Sequence, residues 1–354
     1  MRAQLLTGFG GPEMLHYRED VPDPTSGPGE VRIRVAATAL NNTDIWTREG
    51  RYGSPDDPAA TTGWRREPLH FPRIQGADVV GYLDQLGPGV TTETAGALGS
   101  RVLVDPMLYQ GDETALAHTD YLGSERDGGF ADYLTVPAGN VHPIDSPLTD
   151  PELASFPTAY ATALRMLNRA EVTDGETVLI TGASGGVGSA LIQLAAVRGA
   201  RPVALVGPGK AEAATELGAA LAVERDTMDI AGALAAVGPI DVVADVVGGA
   251  GFGALLNVVR PFGRYVTAGG IAGPVVETDL RTVYLKQLTL VGSSFATHEE
   301  FAELVELIRA AGRHARTGQL RPLVAEVYPL PELARAQADF AAKRFFGKLV
   351  IAVG

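Results

Sequence analysis

Closely spaced glycines in the middle of the chain have the pattern of a turn that binds phosphate. Thr177–Thr181 is an apolar, β-branched run that predicts a buried strand, and Ser189–Arg198 has apolar residues at helical spacing. Between them lies Gly182–Gly188, with the pattern Ala183-x-Gly185-x-x-Gly188. A strand, a tight turn and a helix N-terminus present backbone N–H groups and the positive end of the helix dipole to an anion. The segment therefore predicts the diphosphate site of a dinucleotide, with contacts from Ala183, Gly185, Gly186, Val187 and Gly188.

The end of the next predicted strand favours one dinucleotide over the other. Arg201–Val206 leads into Gly207, where a site for NAD usually carries the acid that binds the ribose 2′-hydroxyl. A glycine cannot repel a 2′-phosphate, and Lys210, at the start of the predicted helix Lys210–Leu217, could pair with one through a contact of about 1.5–3 kcal/mol. We therefore expect NADP(H) as the cofactor, with Arg225 as a second contact to the phosphate. The alternative is that Lys210 and Arg225 are solvated surface residues.

Length and composition exclude several classes of protein. With 354 residues the chain exceeds what one core usually fills, so two domains are expected. The net charge of −13, without clusters of lysine and arginine, excludes a nucleic-acid partner. The absence of cysteine excludes disulfides, thiol nucleophiles and thiolate ligands to zinc. No apolar run approaches the length of about 18 residues that a membrane span needs, and the N-terminus has no signal-peptide pattern. We therefore expect a cytoplasmic protein without a membrane partner.

The elements before residue 150 are predicted to be short strands. Val31–Ala37 alternates apolar and polar residues after a turn-rich segment, as a half-buried strand does. Further strands are predicted at Ala77–Leu83, Arg101–Asp105 and Tyr133–Val136. Many short strands punctuated by glycine and proline predict a barrel-like, all-β lobe. Residues 52–73 and 106–127 lack periodicity and are predicted to be loops, which often bind ligands in compact domains.

After residue 150, strands and helices are predicted to alternate. A helical pattern over 150–170 is followed by helices that start near Val187, Lys210, Phe252 and Thr278. The predicted strands are Thr177–Thr181, Arg201–Val206, Val242–Val246, Arg264–Ala268 and Leu288–Gly292. This alternation predicts a parallel, doubly wound sheet, which binds ligands at the carboxyl ends of its strands. Candidate cofactor contacts at these ends are Val247, Gly248, Gly269, Gly270, Ile271, Ser294 and Phe295. A helix at Glu299–Ala311 and a strand at Lys348–Val353 are predicted to close the chain.

Several segments, taken in order, resemble one known family. They are TGFGGPEML, GPGEVRIRVAATALNNTDIWTREGRYG, IQGADVVG, RDGGFADYLTVP, the glycine turn, DVVADVVGG and GRYVTAGGIAG. Over nearly its whole length the chain resembles the medium-chain dehydrogenase/reductase superfamily, specifically its zinc-free quinone oxidoreductase (ζ-crystallin-like) branch. The resemblance implies an α/β protein with a GroES-like β-barrel catalytic domain (1–150 and 300–354) and a Rossmann NADP-binding domain (151–299), with the active site in the cleft between them. It also implies a homodimer joined at the sheet edge near Leu288–Gly292.

The residues at the family's metal positions predict that this chain works without a metal. By resemblance, the three positions that bind zinc in zinc-dependent members are occupied here by Asn41, Ala77 and Thr158. The acidic residue that follows the second of these positions in the family is present as Asp78. These side chains cannot form a conventional catalytic zinc site, because zinc binds thiolate, imidazole or carboxylate. The residues that would have to form an unorthodox site are His70, His118, Asp44 and Asp78. We expect these to be scattered loop and surface residues, because a metal site needs ligands that converge.

Without zinc, the resemblance implies direct hydride transfer from NADPH to a quinone or an α,β-unsaturated carbonyl. Hydride addition to the β-carbon of an enone leaves an enolate oxygen, which needs a hydrogen-bond donor and then a proton. By resemblance, Asn41, Asp44 and Tyr52 line this site. Tyr52 is the expected donor, because a phenol is neutral at pH 7, and one such donor is worth about 10²–10³ in rate. Asn41 is expected to add an amide donor, while Asp44 either orients its neighbours or caps a helix.

Two other functions stay open for the same residues. The chain could be a metal-free alcohol dehydrogenase or carbonyl reductase, or a non-catalytic nucleotide-binding redox sensor. The glycine turn together with Asn41, Asp44 and Tyr52 favours an enzyme with a small-molecule substrate. On the cofactor side, Thr162 matches the family threonine that packs near the nicotinamide. The loop that follows Tyr52 is expected to border the substrate entrance, with Trp64, Arg65 and Arg66.

Overall fold

Strands rich in buried valine, isoleucine and leucine organise the N-terminal part of the chain. The computed structural model describes residues 1–52, 67–227, 230–313 and 320–354. The described strands up to residue 143 are β1 (Ala3–Leu6), β2 (Leu15–Arg18), β3 (Glu30–Ala39), β4 (Asp78–Leu86), β5 (Arg101–Val104), β6 (Met107–Leu108), β7 (Asp120–Tyr121), β8 (Tyr133–Pro137) and β9 (Val141–Pro143). The helices beside them are α1 (Asn42–Glu49), α2 (Thr92–Ala95) and α3 (Asp150–Ala154). The strands predicted here from alternating residues are confirmed as β3, β4, β5 and β8.

β3 is the centre of an antiparallel sheet. It pairs with β4 and β8, β4 pairs with β5, and β5 pairs with β9. Val31, Ile33 and Val35 of β3 are buried and the residues between them are not, because successive side chains of a strand point to opposite faces. The predicted loop at 106–127 contains β6, β7 and a 3₁₀ turn at Glu113–His118. Residues 53–66 lie outside the described chain, so the substrate entrance with Trp64, Arg65 and Arg66 stays a prediction.

From Pro157 onward, helices alternate with the strands of a second sheet. The helices are α4 (Pro157–Arg169), α5 (Gly186–Val197), α6 (Ala211–Glu216), α7 (Ile230–Leu234), α8 (Phe252–Val258) and α9 (Leu280–Leu285). The strands are β10 (Thr177–Ile180), β11 (Arg201–Val206), β12 (Leu221–Glu224), β13 (Ile240–Asp245), β14 (Val259–Thr267) and β15 (Thr289–Gly292). All paired strands are parallel, in the order β12-β11-β10-β13-β14-β15. The order reverses direction between β10 and β13, where doubly wound sheets bind dinucleotides, and this topology confirms the predicted Rossmann fold.

Two predictions for this part of the chain were wrong in detail. The helical pattern over 150–170 forms two helices, since α3 ends at Ala154 and α4 begins at Pro157. Proline has no N–H to donate inside a helix, but its fixed φ suits the first helical position. The predicted set of strands lacks β12, and Arg225 follows directly after this strand.

The C-terminal segments return to the first sheet. They are α10 (His298–Arg313), β16 (Val324–Pro329), α11 (Leu333–Ala342) and β17 (Lys348–Ala352). β17 pairs with β3 and with β16, so the described strands run in the order β16-β17-β3-β4-β5-β9, with β8 also on β3. α10 and β17 are the helix and strand predicted to close the chain. Two units result: the first is Met1–Thr158 with returning segments that begin at Thr297 and Pro322, and the second contains Ala159–Ala296.

Each unit has its own hydrophobic core. The first core includes Ile33, Phe130 and Ile351, and the second includes Leu179 and Tyr265. The two candidate sites described below therefore rest on separate packed cores. No helix within the described residues is long and apolar enough to cross a bilayer.

Candidate active site

A buried carboxylate, Asp78 at the start of β4, is the centre of the candidate site in the first unit. Its Oδ2 atom accepts hydrogen bonds from Lys348 Nζ and Asn41 Nδ2, each at 2.9 Å, and its Oδ1 atom accepts one from the Thr158 N–H at 2.7 Å. Lys348 Nζ also donates to Asn41 Oδ1 at 2.6 Å. Asp78 is fully buried and the Lys348 side chain is 5% exposed, so each charge compensates the burial of the other. Asn41 and Thr158 are brought together as the sequence predicts, whereas Lys348 was missed.

Asn41 and Asp44 form the start of α1. The Asn41 N–H donates to Asp44 Oδ2 at 2.7 Å, which is the bond that a capping carboxylate makes at a helix N-terminus. Gln75 Nε2 donates to the Asp44 carbonyl oxygen at 2.8 Å. Burial raises the pKa of Asp44 to about 7. Asp44 therefore caps α1, which is one of the two roles predicted for it.

Two tyrosine–threonine hydroxyl pairs lie at this site. Tyr52 donates to Thr43 Oγ1 at 2.9 Å, and the hydroxyls of Tyr121 and Thr158 are 3.0 Å apart. Burial raises the pKa of Tyr52 to about 12 and the pKa of Tyr121 well above its ordinary value, so both phenols are neutral at pH 7. The Trp46 ring meets the Tyr52 ring edge-on, with 5.5 Å between their centroids. The sequence predicts Tyr52; Thr43 and Tyr121 were missed, because their pairing depends on the fold.

The donor atoms at this centre do not fit a catalytic zinc ion. Ala77 has no atom that could bind a metal, and the Asn41 and Asp78 oxygens already accept hydrogen bonds from the Lys348 ammonium group. Across the described ranges, no three histidine, aspartate or glutamate side chains converge to hold an ion, so the alternative set with His70 and His118 does not assemble.

The glycine turn of the second unit lies between β10 and α5. Gly185 is the N-cap of α5 and makes no side-chain capping bond, so the backbone N–H groups of the first turn face outward. A Cβ atom at Gly188 would lie 2.3 Å from the Gly182 carbonyl oxygen, so a glycine is needed for α5 to pack against β10. Ala183, Gly186 and Val187 lie in the same turn. This geometry fits the diphosphate of a dinucleotide.

The other predicted cofactor contacts follow the carboxyl ends of their strands. Val247 and Gly248 come after β13; Gly269, Gly270 and Ile271 come after β14; Ser294 and Phe295 come after β15. A cleft of about 400 Å³ lies there, lined by Gly248, Gly269 and Gly270 and also by Asp245, Thr267 and Ser293, which the sequence did not indicate. Thr162 lies in α4, in the second unit.

Buried Asp245 holds the backbone at one side of this cleft. Its carboxylate accepts hydrogen bonds from the hydroxyls of Thr181 and Tyr265 and from the N–H groups of Val247 and Gly248, the latter two at 2.9 and 3.0 Å. Ser293 Oγ is buried without a hydrogen-bond partner among the described residues. A polar ligand in the cleft would give Ser293 that partner, which is consistent with a cofactor site.

Two cations meet at the end of β11. Lys210 precedes α6, and the Arg225 N–H donates to the Val206 carbonyl oxygen at 2.8 Å, which places Arg225 beside Gly207. Burial, and then the charge of Arg225, lower the pKa of Lys210. Glu224 lies in the same corner, where its Oε1 atom accepts from the Gly209 N–H at 2.7 Å. A Cβ atom at Gly207 would meet nothing within 4 Å, so the corner has room for a phosphate.

His298 and Asp105 form a separate polar pair in the first unit. His298 begins α10, and its Nδ1 atom is 2.6 Å from Asp105 Oδ2. The ring stacks on Tyr109 with 4.1 Å between centroids, and the His298 N–H donates to the Tyr109 hydroxyl at 3.0 Å. This pairing fixes the start of α10.

Comparisons with known proteins agree with this architecture. Residues 27–146 match the family described as alcohol dehydrogenase GroES-like domain, and residues 186–310 match the family described as zinc-binding dehydrogenase. A crystal structure of a candidate alcohol dehydrogenase from Sinorhizobium meliloti 1021 is 53% identical, with a TM-score of 0.94, over 100% of this chain and 97% of that chain.

Two curated relatives are reductases. The crotonyl-CoA reductase of Streptomyces collinus is 29% identical over 99% of this chain and 84% of its own length. The quinone oxidoreductase of Lama guanicoe is 28% identical over 99% of this chain and 97% of its own length. The first unit has a mostly antiparallel sheet and the second a Rossmann fold. With these matches over nearly the full length, the chain belongs to the medium-chain dehydrogenase/reductase superfamily of oxidoreductases.

Proposed function

We propose that this oxidoreductase uses NADPH, without a metal, to reduce a quinone or an α,β-unsaturated carbonyl. The observation that carries the proposal is the set of groups at the centre of the first unit. The hydroxyl groups of two tyrosine–threonine pairs lie beside Asn41 and Asp78. The side-chain oxygens of Asn41 and Asp78 already accept hydrogen bonds from the Lys348 ammonium group. A bound nicotinamide supplies the hydride. The relatives named crotonyl-CoA reductase and quinone oxidoreductase support this substrate class.

Tyr52 and Thr43 are the proton source in this proposal. When a hydride adds to the β-carbon of an enone, a C–H bond forms, the C=C π bond breaks and an electron pair moves to the carbonyl oxygen. The pKa of Tyr52, about 12, keeps the phenol protonated. Its hydroxyl hydrogen turns from Thr43 Oγ1 to the oxyanion, stabilises it and then completes the reduction as the transferred proton. The Thr43 hydroxyl then donates its own hydrogen to the Tyr52 phenolate and takes another from water, so both side chains end neutral.

Asn41 and Asp44 shape the site in this proposal and do not act on the substrate. The Asn41 amide donates to Asp78 Oδ2 at 2.9 Å and to the Ala39 carbonyl oxygen at 3.4 Å, so its hydrogens face protein acceptors. Asp44 is occupied in capping α1. In this proposal the hydrogen-bond donors to the substrate oxygen are therefore hydroxyl groups, and not the Asn41 amide that the sequence suggested.

A panel of acceptors tests the proposed reaction. We expect the purified protein to consume NADPH with a cyclic enone or a 1,4-quinone. Consumption with an aldehyde alone would favour the metal-free carbonyl reductase, which the 53% identical candidate alcohol dehydrogenase makes the second candidate. Nucleotide binding without consumption of any acceptor would contradict both and favour a redox sensor.

Lys210 and Arg225 support NADP(H) as the cofactor. A 2′-phosphate bound at Gly207 would gain from both positive charges, and NADH carries no such group. Lys210→Gln is expected to raise the KM for NADPH about 10–100-fold while leaving the KM for NADH unchanged, because only NADPH carries the phosphate. Lys343→Gln, in the first unit, is the matched control. Equal effects of Lys210→Gln on both nucleotides would contradict this assignment.

The edge of the second sheet supports a homodimer. β15 is the last strand in the sheet order and pairs with β14. Its Leu290 is 47% exposed, and Tyr284 and Leu285 of the preceding helix α9 are 61% and 72% exposed. An unpaired strand edge beside exposed apolar side chains is a surface that a second copy of the same strand can cover. We therefore assign this edge as the dimer interface.

A further inference from the structure

Thr158, the second residue of α4, is held by both its backbone and its side chain. Its N–H donates to Asp78 Oδ1 at 2.7 Å, and its hydroxyl oxygen is 3.0 Å from the Tyr121 hydroxyl. Asp78 is fully buried and is itself fixed by Lys348 and Asn41. A threonine fixed in this way presents its hydroxyl in one orientation, which is what a donor to a transition state requires.

The Tyr121–Thr158 pair has a preferred direction. The geometry allows either hydroxyl to donate. Because a phenol is a stronger acid than an aliphatic alcohol, we take Tyr121 as the donor and Thr158 Oγ1 as the acceptor. The Thr158 hydroxyl can then donate its own hydrogen to an acceptor on its exposed side. Tyr121, which is only 1% exposed, faces the protein interior. A hydroxyl that accepts one hydrogen bond becomes a stronger donor of the next.

We propose that the Thr158 hydroxyl donates a hydrogen bond to the substrate oxygen that becomes negative, and that Tyr121 is the positioning residue that orients and polarises it. The inference rests on the proposed function, because the oxyanion arises in that reaction. It assigns a second donor beside Tyr52, supplied by a residue that stands where zinc-dependent members of the superfamily have a metal ligand. The ligand class is an oxygen anion conjugated to a planar π system, such as an enolate or a hydroquinone anion.

Turnover of three variants tests the role in catalysis. Thr158→Val keeps the shape of the side chain and removes the donor, so kcat for the enone is expected to fall about 100-fold with little change in KM. Thr158→Ser retains a hydroxyl and is expected to recover most of this loss. Tyr121→Phe is expected to lower kcat about tenfold, because Thr158 then keeps its donor without the polarising bond. Thr135→Val on β8 and Tyr17→Phe on β2 are the matched controls in the same unit.

Binding of 4-nitrophenolate tests the same donor without turnover. This anion resembles an enolate in charge and planarity, and its absorbance reports binding. With NADP⁺ present, its dissociation constant is expected to rise about tenfold in Thr158→Val, and to stay within about threefold of the wild type in Thr158→Ser.

The two measurements separate the inference from the proposed function. Phenolate binding that depends on Thr158, in a protein that reduces neither enones nor quinones, would support the donor and contradict the proposed reaction. Enone reduction by Thr158→Val at the wild-type rate would overturn the donor role and leave the proposed reaction standing. Equal phenolate affinity in Thr158→Val and the wild type would also overturn it.

Discussion

At the scale of single residues, the buried pair of Lys348 and Asp78 connects the groups of the candidate site. The two residues are 270 positions apart in the chain, and their charged atoms are 2.9 Å apart. Asn41, Asp44 and Tyr52 could be predicted because they lie in one segment that resembles a known family. Lys348 and Tyr121 could not, because only the packing of distant strands brings their side chains to the same place. Thr43 lies in the same segment as Tyr52 and was overlooked.

Removing the charge of Lys348 is expected to destabilise the first unit. Lys348→Met leaves the Asp78 carboxylate buried without its cation, which is expected to lower the free energy of unfolding by about 3–5 kcal/mol. The double variant Lys348→Met/Asp78→Asn removes both charges and is expected to recover much of this loss. Urea denaturation measures both values. A single variant as stable as the wild type would contradict the compensation of charges described for this pair.

The raised pKa of Asp44 predicts how stability changes with pH. Burial raises this pKa from 3.8 to about 7, so between these values the folded protein holds a proton that the unfolded chain has lost. The contribution of Asp44 to stability is therefore expected to fall as the pH rises from 4 to 7, by about 1.4 kcal/mol for each unit of the shift. Asp44→Asn keeps an acceptor for the Asn41 N–H and does not titrate. The stability difference between the variant and the wild type should grow in favour of the variant over this range; a difference independent of pH would contradict the assignment.

At the scale of elements, buried apolar runs made most strands predictable, while short polar elements were missed. β10, β11, β13, β14 and β15 were all predicted. α1 was anticipated only through the capping role of Asp44, and its extent was not predicted, because asparagine, threonine and aspartate favour caps and turns over helix interiors. α11 carries a helical pattern, with Leu333, Ala336 and Phe340 buried, that was present in the sequence but not used.

The close packing of α5 against the glycine turn predicts that one added methyl group weakens nucleotide binding. Gly188→Ala would place a Cβ atom 2.3 Å from the Gly182 carbonyl oxygen, so α5 must move away from the turn. The dissociation constant for NADPH is expected to rise about tenfold or more, a loss of about 1.4 kcal/mol or more in binding free energy. Nucleotide fluorescence titration measures this constant. Gly139→Ala is the control, because a Cβ atom there would meet nothing within 4 Å; equal affinities in the two variants would contradict the role of Gly188.

At the scale of the whole molecule, the family resemblance predicted the two kinds of fold and implied a homodimer joined near Leu288–Gly292, but not which side chains of that edge are exposed. The exposed edge formed by β15 and α9 is visible only when the order of the strands is known. Leu290→Lys places a charge in the proposed interface and is expected to convert a dimer into a monomer, as measured by sedimentation equilibrium. Leu98→Lys changes another exposed leucine, which is 59% exposed in the first unit, and should leave the dimer intact. A dimer unaffected by Leu290→Lys would place the interface elsewhere.

Transfer of a label from the cofactor to the substrate tests the central claim most directly. The protein is dialysed against a chelator, its metal content is measured, and it is then incubated with an enone and NADPH carrying two deuterium atoms at C4. We predict a saturated carbonyl product with deuterium at the β-carbon, formed at the same rate before and after dialysis. A rate that falls with the metal content and returns with zinc, or a product without deuterium at that carbon, would contradict the account.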